Sequence, residues 1–266
     1  MKILLIGAGN MGQTYADSFI AQKVVKKENL FILEHLPEKV EQLQKKGYQQ
    51  IWLTPTQEII EMNLIILAVK PQDSNSLFEN IKSWILPSHL ILSIMAGVTM
   101  EGIKKGLPTQ KIVRAMPNLP AQISMGMTGF TADISVNREE IFSVQNLLNT
   151  TGKTLFFEKE EMLDAVTAVS GSGPAYIFYF MKAMMKSAME MGFSETQSEM
   201  LVEQTFMGAV HLFNNNTFSC EEWIAKVASK GGTTEAALKD FNANLLEDKI
   251  GNGLQQALKR AIELGR

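Results

Sequence analysis

The first twelve residues constrain the fold most strongly. A short aliphatic run at residues 3–6 is followed directly by the six residues GAGNMG. An aliphatic run bounded by glycine predicts a buried strand, and Gly7, Gly9 and Gly12 have the G-x-G-x-x-G spacing of a turn from strand to helix. In such turns the first glycine makes the turn, the second admits a pyrophosphate to the backbone, and the third packs the helix on the strand. A following helix would direct its free N–H groups at the phosphate. The pattern therefore predicts a dinucleotide site.

Length, charge and cysteine content restrict the class of protein. The chain has 266 residues, a formal net charge of -3 and one cysteine, Cys220. This length suits one large or two modest domains. The charge argues against a nucleic-acid partner, and a lone cysteine forms no intrachain disulfide and fits a reducing compartment. The apolar residues 1–6 are too short for a signal sequence, and no stretch is long and apolar enough for a membrane span. We expect a cytoplasmic protein.

The two halves of the chain have different patterns. Four further strand-like runs alternate with helix-like segments in the first half, at residues 29–34, 64–69, 90–94 and 111–115. This alternation predicts a parallel sheet covered by helices on both faces, and short runs at residues 127–131 and 154–157 extend its edge. From about residue 160 the chain reads as helix almost to its end, with Gly192 as a helix stop and Ser194 as an N-cap.

The predicted fold class is α/β, with an N-terminal Rossmann-like doubly wound sheet and a C-terminal all-α domain. The sheet domain spans residues 1–160 and the helical domain residues 161–266. The helical half is rich in methionine, which suits either adaptable core packing or a helix–helix interface between subunits. We favour pairing with a second copy of the chain.

Polar residues at strand ends are candidates for ligand contacts. Glu34 follows the second strand, where an acidic residue hydrogen-bonds the adenosine ribose and repels the extra phosphate of NADP; the alternative is a solvated strand-end glutamate. Lys70 follows the central strand, where ligands bind in open α/β sheets, although a lone lysine is commonly a surface residue. Arg114 has a similar position and either ties loops together or contacts substrate.

Two glycine-rich segments lie in the helical half. Gly231 and Gly232, followed by Thr233 and Thr234, precede a helical segment, and their backbone N–H groups suit a carboxylate; an ordinary loop with threonine caps is the alternative. The segment at residues 171–174 (GSGP) interrupts a helix, either as a kink or to let a ligand approach the backbone.

The sequence lacks several kinds of catalytic group. The three histidines are scattered and the cysteine has no partner, so no metal site is predicted. Neither a nucleophile elbow nor a Walker phosphate loop is present. Such an enzyme works if the cofactor supplies a hydride and the substrate is already electrophilic, as a protonated imine is.

Several blocks together resemble the pyrroline-5-carboxylate reductase family. They are the glycine turn at residues 7–12, AVKPQ at 68–72, RAMPN at 114–118, DAVTAVSGSGPAY at 164–176, and VASKGGTT at 227–234 with Ala237-Leu238 after it. The resemblance runs nearly end to end and, unlike the glycine turn alone, is highly specific.

The resemblance implies reduction of 1-pyrroline-5-carboxylate to L-proline, the last step of proline biosynthesis, with NADPH or NADH. It also implies a helical domain that interlocks with a second subunit, active sites at the interface of a homodimer, and decamers in many members. By resemblance the substrate-binding residues are Glu160, Ser172, Gly232, Thr233 and Thr234, with the Thr234 hydroxyl near the imine nitrogen as the catalytic group. The predicted cofactor-binding residues are Gly7, Gly9, Asn10, Met11, Gly12, Glu34, Ala68, Val69, Lys70 and Pro71.

The chain departs from the family pattern at three places. Leu119 stands where threonine is common, Lys230 where proline is common, and Glu34-His35 where a small or basic pair favours the NADP phosphate. The last departure favours NADH. The alternatives are a related imine or 2-hydroxyacid reductase, and a dinucleotide-sensing protein without turnover. The absence of lysine from residues 165–181 argues against the hydroxyacid class, and the intact Gly231–Thr234 segment argues against the sensor.

Overall fold

A computed structural model of the chain describes residues 1–265. Within these residues eight strands form one sheet in the order β3-β2-β1-β4-β5-β6-β7-β8. The strands are β1 (Ile3–Ile6), β2 (Leu30–Leu33), β3 (Ile51–Trp52), β4 (Leu64–Leu67), β5 (Leu90–Ser93), β6 (Ile112–Met116), β7 (Gly126–Ala132) and β8 (Gly152–Phe156). Strands β1 to β6 are parallel, β7 is antiparallel to β6, and β8 is parallel to β7. The Rossmann-like sheet is confirmed, and the two short runs do extend its edge.

Both faces of the sheet are buried, as a doubly wound fold requires. Alternate residues of β1 enter different hydrophobic clusters: Ile3 and Leu5 pack on one face, and Leu4 and Ile6 on the other. Every residue of β1 and β4 is buried. A strand covered on both faces reads as a continuous aliphatic run, which explains why the sequence pattern identified these strands.

Helices alternate with the strands in the first half of the chain and make up most of its second half. They are α1 (Asn10–Ala21), α2 (Pro37–Lys45), α3 (Ser74–Ile81), α4 (Met100–Gly106), α5 (Arg138–Leu148), α6 (Met162–Val166), α7 (Gly173–Glu190), α8 (Glu195–Asn214), α9 (Cys220–Val227), α10 (Thr233–Ala243) and α11 (Leu246–Leu264). A π-helical turn, Thr167–Gly171, follows α6. No helix within residues 1–265 combines the length and apolar character that crossing a bilayer requires.

The described residues form two compact units. The first contains residues 1–172 together with 257–265, and the second contains residues 173–256. The first unit thus continues past the domain boundary predicted near residue 160, because α6 packs on the sheet. Leu163 is fully buried, and a Cβ atom at Gly129 of β7 would lie 2.8 Å from Cγ2 of Val166.

The second unit is helical throughout its regular structure and exposes many large apolar side chains. Phe178, Tyr179 and Met191 are among those exposed in the single chain. The helix ends follow the sequence: Gly192 has a φ of +104° after α7, and Ser194 caps α8. Extended exposed apolar surface marks an interaction site, which agrees with the interface prediction for these helices.

Candidate active site

A cavity of about 580 Å³ opens at the carboxyl ends of β1, β2 and β4. Its walls include Gly7 and Gly9 after β1, Glu34 after β2, and Ala68 and Lys70 after β4. Strand β1 pairs with both β2 and β4, so the strand order reverses here. The cavity therefore lies at the switch point where open α/β sheets bind their ligands.

The glycine turn has the geometry of a phosphate cradle. Gly7 has a φ of +94°, and a Cβ atom there would lie 2.9 Å from the carbonyl oxygen of Ala68. A Cβ atom at Gly12 would lie 2.1 Å from the carbonyl oxygen of Gly7, so only glycine allows α1 to pack this closely on β1. At Gly9, by contrast, a Cβ atom would meet nothing within 4 Å. An anionic ligand can therefore approach this backbone.

The first turn of α1 is suited to bind that anion. Gly9 is the N-cap, no side chain caps the helix, and its first turn contains no acidic residue. The first N–H groups of a helix lack intrahelical partners and lie at the positive end of its dipole. These residues fit the pyrophosphate of a dinucleotide.

Glu34 lies beside this cradle with its carboxylate bound to backbone. Its Oε2 accepts a hydrogen bond from the N–H of Ala8 at 3.0 Å, and its Oε1 accepts from the N–H groups of His35 at 2.9 Å and Leu36 at 3.0 Å. The side chain is only 4% exposed. It is therefore not the solvated strand-end glutamate of the alternative reading, because it ties the glycine turn to the end of β2.

The environment keeps this carboxylate ionised. Burial by itself raises the pKa of Glu34. The hydrogen bonds from Leu36 and Ala8 act in the opposite direction and, with the charge of Lys39, outweigh burial, so the pKa lies below its ordinary value. A negative charge thus remains at this end of the cavity.

Lys39 is a cavity residue that the sequence analysis missed. It lies in α2 and lines the cavity, with its Nζ 3.6 Å from Oε2 of Glu34. His35, which is exposed, lines the same end. The sequence does contain a signal for this residue, a lysine in the first turns of the helix that follows Glu34. One lysine on a charged helix is an ordinary surface pattern, however, so this signal does not single it out.

The other predicted cofactor residues divide into two groups. Ala68, Val69 and Lys70 line the cavity with Gly7, Gly9 and Glu34. The lining does not include Asn10, Met11, Gly12 and Pro71, which lie next to lining residues in the glycine turn and after β4. Their direct contact with a dinucleotide stays a prediction.

Arg114, which is buried, forms an ion-pair cluster with two partly exposed carboxylates, one of them that of Glu160. The Arg114 guanidinium is 2.9 Å from Oε1 of Glu160 and 3.4 Å from Oδ1 of Asp164. The same Glu160 oxygen accepts a hydrogen bond from the N–H of Met100 at 2.7 Å. Arg114 therefore ties β6 to the segment entering α6, as its structural reading proposed. The Glu160 carboxylate is already partnered in this structure, and its contact with substrate stays a prediction.

The remaining predicted substrate residues lie farther along the chain. Ser172 follows the π-helical turn and donates its N–H to the carbonyl oxygen of Thr167. Gly232 is the N-cap of α10, which begins at Thr233, and no side chain caps this helix. Glu235 of the first turn accepts a hydrogen bond from the N–H of Gly231 at 2.6 Å. Thr233 and Thr234 therefore lie in the first turn of α10 and do not cap it. The alternative interpretation, an ordinary loop with threonine caps, is wrong.

Two family models match the two ends of the chain. The family model described as pyrroline-5-carboxylate reductase dimerisation matches residues 160–264, and the one described as NADP oxidoreductase, coenzyme F420-dependent, matches residues 2–97. The second match indicates a nicotinamide dinucleotide as the cofactor, and the cradle geometry fits the pyrophosphate of such a cofactor.

Named relatives match the chain over almost its full length. A pyrroline-5-carboxylate reductase of Aquifex aeolicus is 35% identical, with 99% of this chain and 97% of the relative covered. One of Pasteurella multocida is 33% identical with the same coverage.

Solved structures show the same fold. The pyrroline-5-carboxylate reductase of Coxiella burnetii superposes with a TM-score of 0.90 at 29% identity, covering 100% of this chain and 98% of the other. The NADP-bound pyrroline carboxylate reductase of Plasmodium falciparum gives 0.87 at 27% identity, with the same coverage. The dinucleotide cradle, the helical second half and these full-length matches together place the chain in the pyrroline-5-carboxylate reductase family.

Proposed function

We propose that this chain reduces 1-pyrroline-5-carboxylate to L-proline, the last step of proline biosynthesis. The observation that carries the proposal is the presence in one chain of two helix starts, at α1 and α10, that no side chain caps. The glycine turn before α1 suits a dinucleotide pyrophosphate, and the uncapped turn at Gly232 and Thr233 suits a substrate carboxylate. Full-length relatives that are named as reductases of this imine support the assignment.

The reaction reduces a carbon–nitrogen double bond. The bound nicotinamide cofactor, when reduced, supplies a hydride to the imine carbon. The substrate is the protonated imine, so the π electrons of the bond become the lone pair of a ring nitrogen that already carries the proton of the product amine. The N–H groups at the start of α10 hold the carboxylate, and the Thr234 hydroxyl hydrogen-bonds the ring nitrogen. This orients the imine with little need for a charged catalytic side chain.

The charge of Glu34 favours NADH over NADPH. The carboxylate is ionised and faces the cavity, so it repels an added phosphate on the adenosine ribose. Lys39 at 3.6 Å offsets part of this repulsion, so we expect a preference for NADH rather than exclusion of NADPH.

We further propose a homodimer built on the apolar helices of the second unit, with Glu160, Ser172, Gly232, Thr233 and Thr234 acting at sites shared between subunits. The larger assembly to be tested is a decamer. The single cysteine, Cys220, is exposed and free, which suits a reducing compartment such as the cytoplasm.

An assay with purified protein and three substrates tests the proposed function. The substrates are 1-pyrroline-5-carboxylate, 1-pyrroline without the carboxylate, and a 2-oxo acid, each with NADH and with NADPH. We expect turnover of the first, and a kcat/KM about 100-fold or more lower for the second because the carboxylate turn then has no partner. Preference for the 2-oxo acid would indicate a hydroxyacid reductase. Cofactor binding without turnover would indicate the sensor.

A further inference from the structure

The loop between β5 and α4, residues 94–99, lies at the carboxyl edge of the sheet. At its start, the N–H of Ile94 donates to the carbonyl oxygen of Leu67 at the end of β4, and Met95 is buried. In a doubly wound fold each half of the sheet binds one mononucleotide. Glu34 marks the adenosine half on β1 to β3, so the loop after β5 belongs to the nicotinamide half.

The C-terminal turn of the chain packs against the middle of this loop. Gly97 has a φ of +76°, and a Cβ atom there would lie 2.9 Å from the carbonyl oxygen of Leu264. In return, a Cβ atom at Gly265 would lie 3.1 Å from the carbonyl oxygen of Gly97. The two segments therefore meet backbone to backbone, at a spacing that a side chain at Gly97 would force apart. Ala261, one turn earlier, is buried.

The far end of the loop is fixed independently. Thr99 caps α4 by accepting a hydrogen bond from the N–H of Gly102 at 3.1 Å. The N–H of Met100 donates to Glu160, which Arg114 also binds. The sheet and the ion-pair cluster thus hold the two ends of the loop, and the C-terminal turn contacts Gly97 between them.

We propose that residues 262–265 are a positioning element for the nicotinamide half of the dinucleotide site, and that they act through Gly97. The inference rests on the proposed function, because it assigns the cavity to a nicotinamide dinucleotide. It gives residues 262–265 a role in cofactor geometry although neither they nor residues 94–99 line the cavity described above.

Calorimetric titration with two ligands tests the proposal. NAD⁺ occupies both halves of the site, whereas ADP occupies only the adenosine half. The variants are Gly97→Ala and a chain ending at Ala261. We expect the Kd for NAD⁺ to rise about tenfold in both, because a displaced loop no longer presents a pre-organised site, while the Kd for ADP changes less than about twofold.

Gly47→Ala is the matched control. Gly47 has a similar φ of +81°, and a Cβ atom there would meet only the flexible end of Lys27. This variant carries the same kind of backbone strain, but its neighbour is Lys27 rather than residues 262–265, so both Kd values should stay at the wild-type level. The chain ending at Ala261 introduces no new side chain, so it still tests the proposal if Gly97→Ala fails to fold.

The outcomes separate this proposal from the proposed function. Equal weakening of NAD⁺ and ADP in the variants would show a merely structural contact and would overturn the positioning role. Unchanged affinity for both ligands would also overturn it, with the proposed function intact. A wild-type protein that binds neither ligand would contradict the dinucleotide site itself.

Discussion

At the scale of single residues, Glu34 combines a charge with a structural role. The sequence analysis predicts a ligand contact for this acidic residue at the end of β2, but it does not predict which groups its carboxylate oxygens bind. The hydrogen bond from Ala8 joins residues 26 positions apart, and it forms only when the glycine turn folds against β2. Such a contact leaves no periodic signal, so the sequence identified the residue and the structure identified its partners.

Replacing the charge at Glu34 should change cofactor preference. In Glu34→Gln we expect the ratio of kcat/KM for NADPH to that for NADH to rise roughly tenfold, since one charge pair near 4 Å is worth about 1–4 kcal/mol. Steady-state kinetics with both cofactors measures the ratio. Lys39→Gln is the opposing control and should lower it. If neither variant moves the ratio, these charges do not reach the ribose.

Glu34 should also make the free energy of unfolding depend on pH in the acid range. The pKa of Glu34 is lower in the folded protein than in the unfolded chain. Its contribution to the free energy of unfolding is therefore complete above the pKa of the unfolded chain, about 4.3, and is lost as pH falls through the pKa of the folded protein. Thermal unfolding between pH 7 and pH 3.5 should show wild type more stable than Glu34→Gln at neutral pH, with the difference narrowing below about pH 4. A difference independent of pH would contradict an ionised carboxylate.

The Thr234 hydroxyl should matter for turnover more than for cofactor affinity. Thr234→Val removes one hydrogen bond that strengthens in the transition state, which costs about 1–3 kcal/mol, or roughly 5- to 150-fold in rate. Thr234→Ser keeps the hydroxyl and should retain most of the activity. Full activity in the valine variant, or equal losses in both, would refute the catalytic role of the hydroxyl.

At the scale of elements, the clear periodic segments were predictable and the short or irregular ones were not. Strand β3 has two residues, too few for an alternation pattern, and it was missed. The π-helical turn at Thr167–Gly171 falls within a segment that the sequence predicts as a long helix, because a single turn is too short to show a periodicity of its own. It lies where the predicted interruption at residues 171–174 begins, and π turns are frequent at functional sites.

The end of α1 offers a stability test. The N–H of Lys23 donates to the carbonyl oxygen of Ile20, and the N–H of Val24 to that of Phe19, the Schellman pattern in which glycine is favoured. Lys23 has a φ of +58°, so Lys23→Gly should stabilise the protein by about 0.5–1 kcal/mol and raise Tm by roughly 1–4 °C. The control Lys26→Gly, at an exposed position with a φ of -79°, should give no gain. Equal effects of both substitutions would contradict relief of strain.

At the scale of the whole molecule, the limits of the first unit were the least predictable feature. The sequence analysis placed a boundary near residue 160 from a change in pattern, from strands to helices. The compact unit instead keeps residues 161–172 and the last turns of α11. A change of sequence pattern shows where the strands end, but it does not show which of the following residues pack on the sheet. Leu163 is buried and Asp164 pairs with Arg114 of β6, so these residues belong to the first unit.

Two fragments should therefore differ in stability. The fragment 1–160 lacks Leu163 and Asp164 and leaves Arg114, which is buried, without one of its partners. The fragment 1–172 keeps them and should unfold at a clearly higher temperature, since truncating buried partners costs about 2–5 kcal/mol. Both should bind NAD⁺ weakly and lack activity, because they lack Thr234. Equal Tm values would favour the boundary at residue 160.

Activity should also depend on assembly. The proposed sites are shared between subunits, so specific activity should fall when the protein is diluted below the dissociation constant of the dimer. Sedimentation in assay buffer measures the assembly at the same concentrations. A stable monomer with full activity would refute the shared site while leaving the reductase assignment intact.

Isotope transfer tests the central claim most directly. The purified protein is incubated with 1-pyrroline-5-carboxylate and NADH or NADPH carrying deuterium at the transferable C4 position, and the product is analysed by mass spectrometry. The account predicts L-proline with a single deuterium at C5, formed in step with oxidation of the cofactor. Unlabelled proline, or cofactor oxidation without proline, would contradict it.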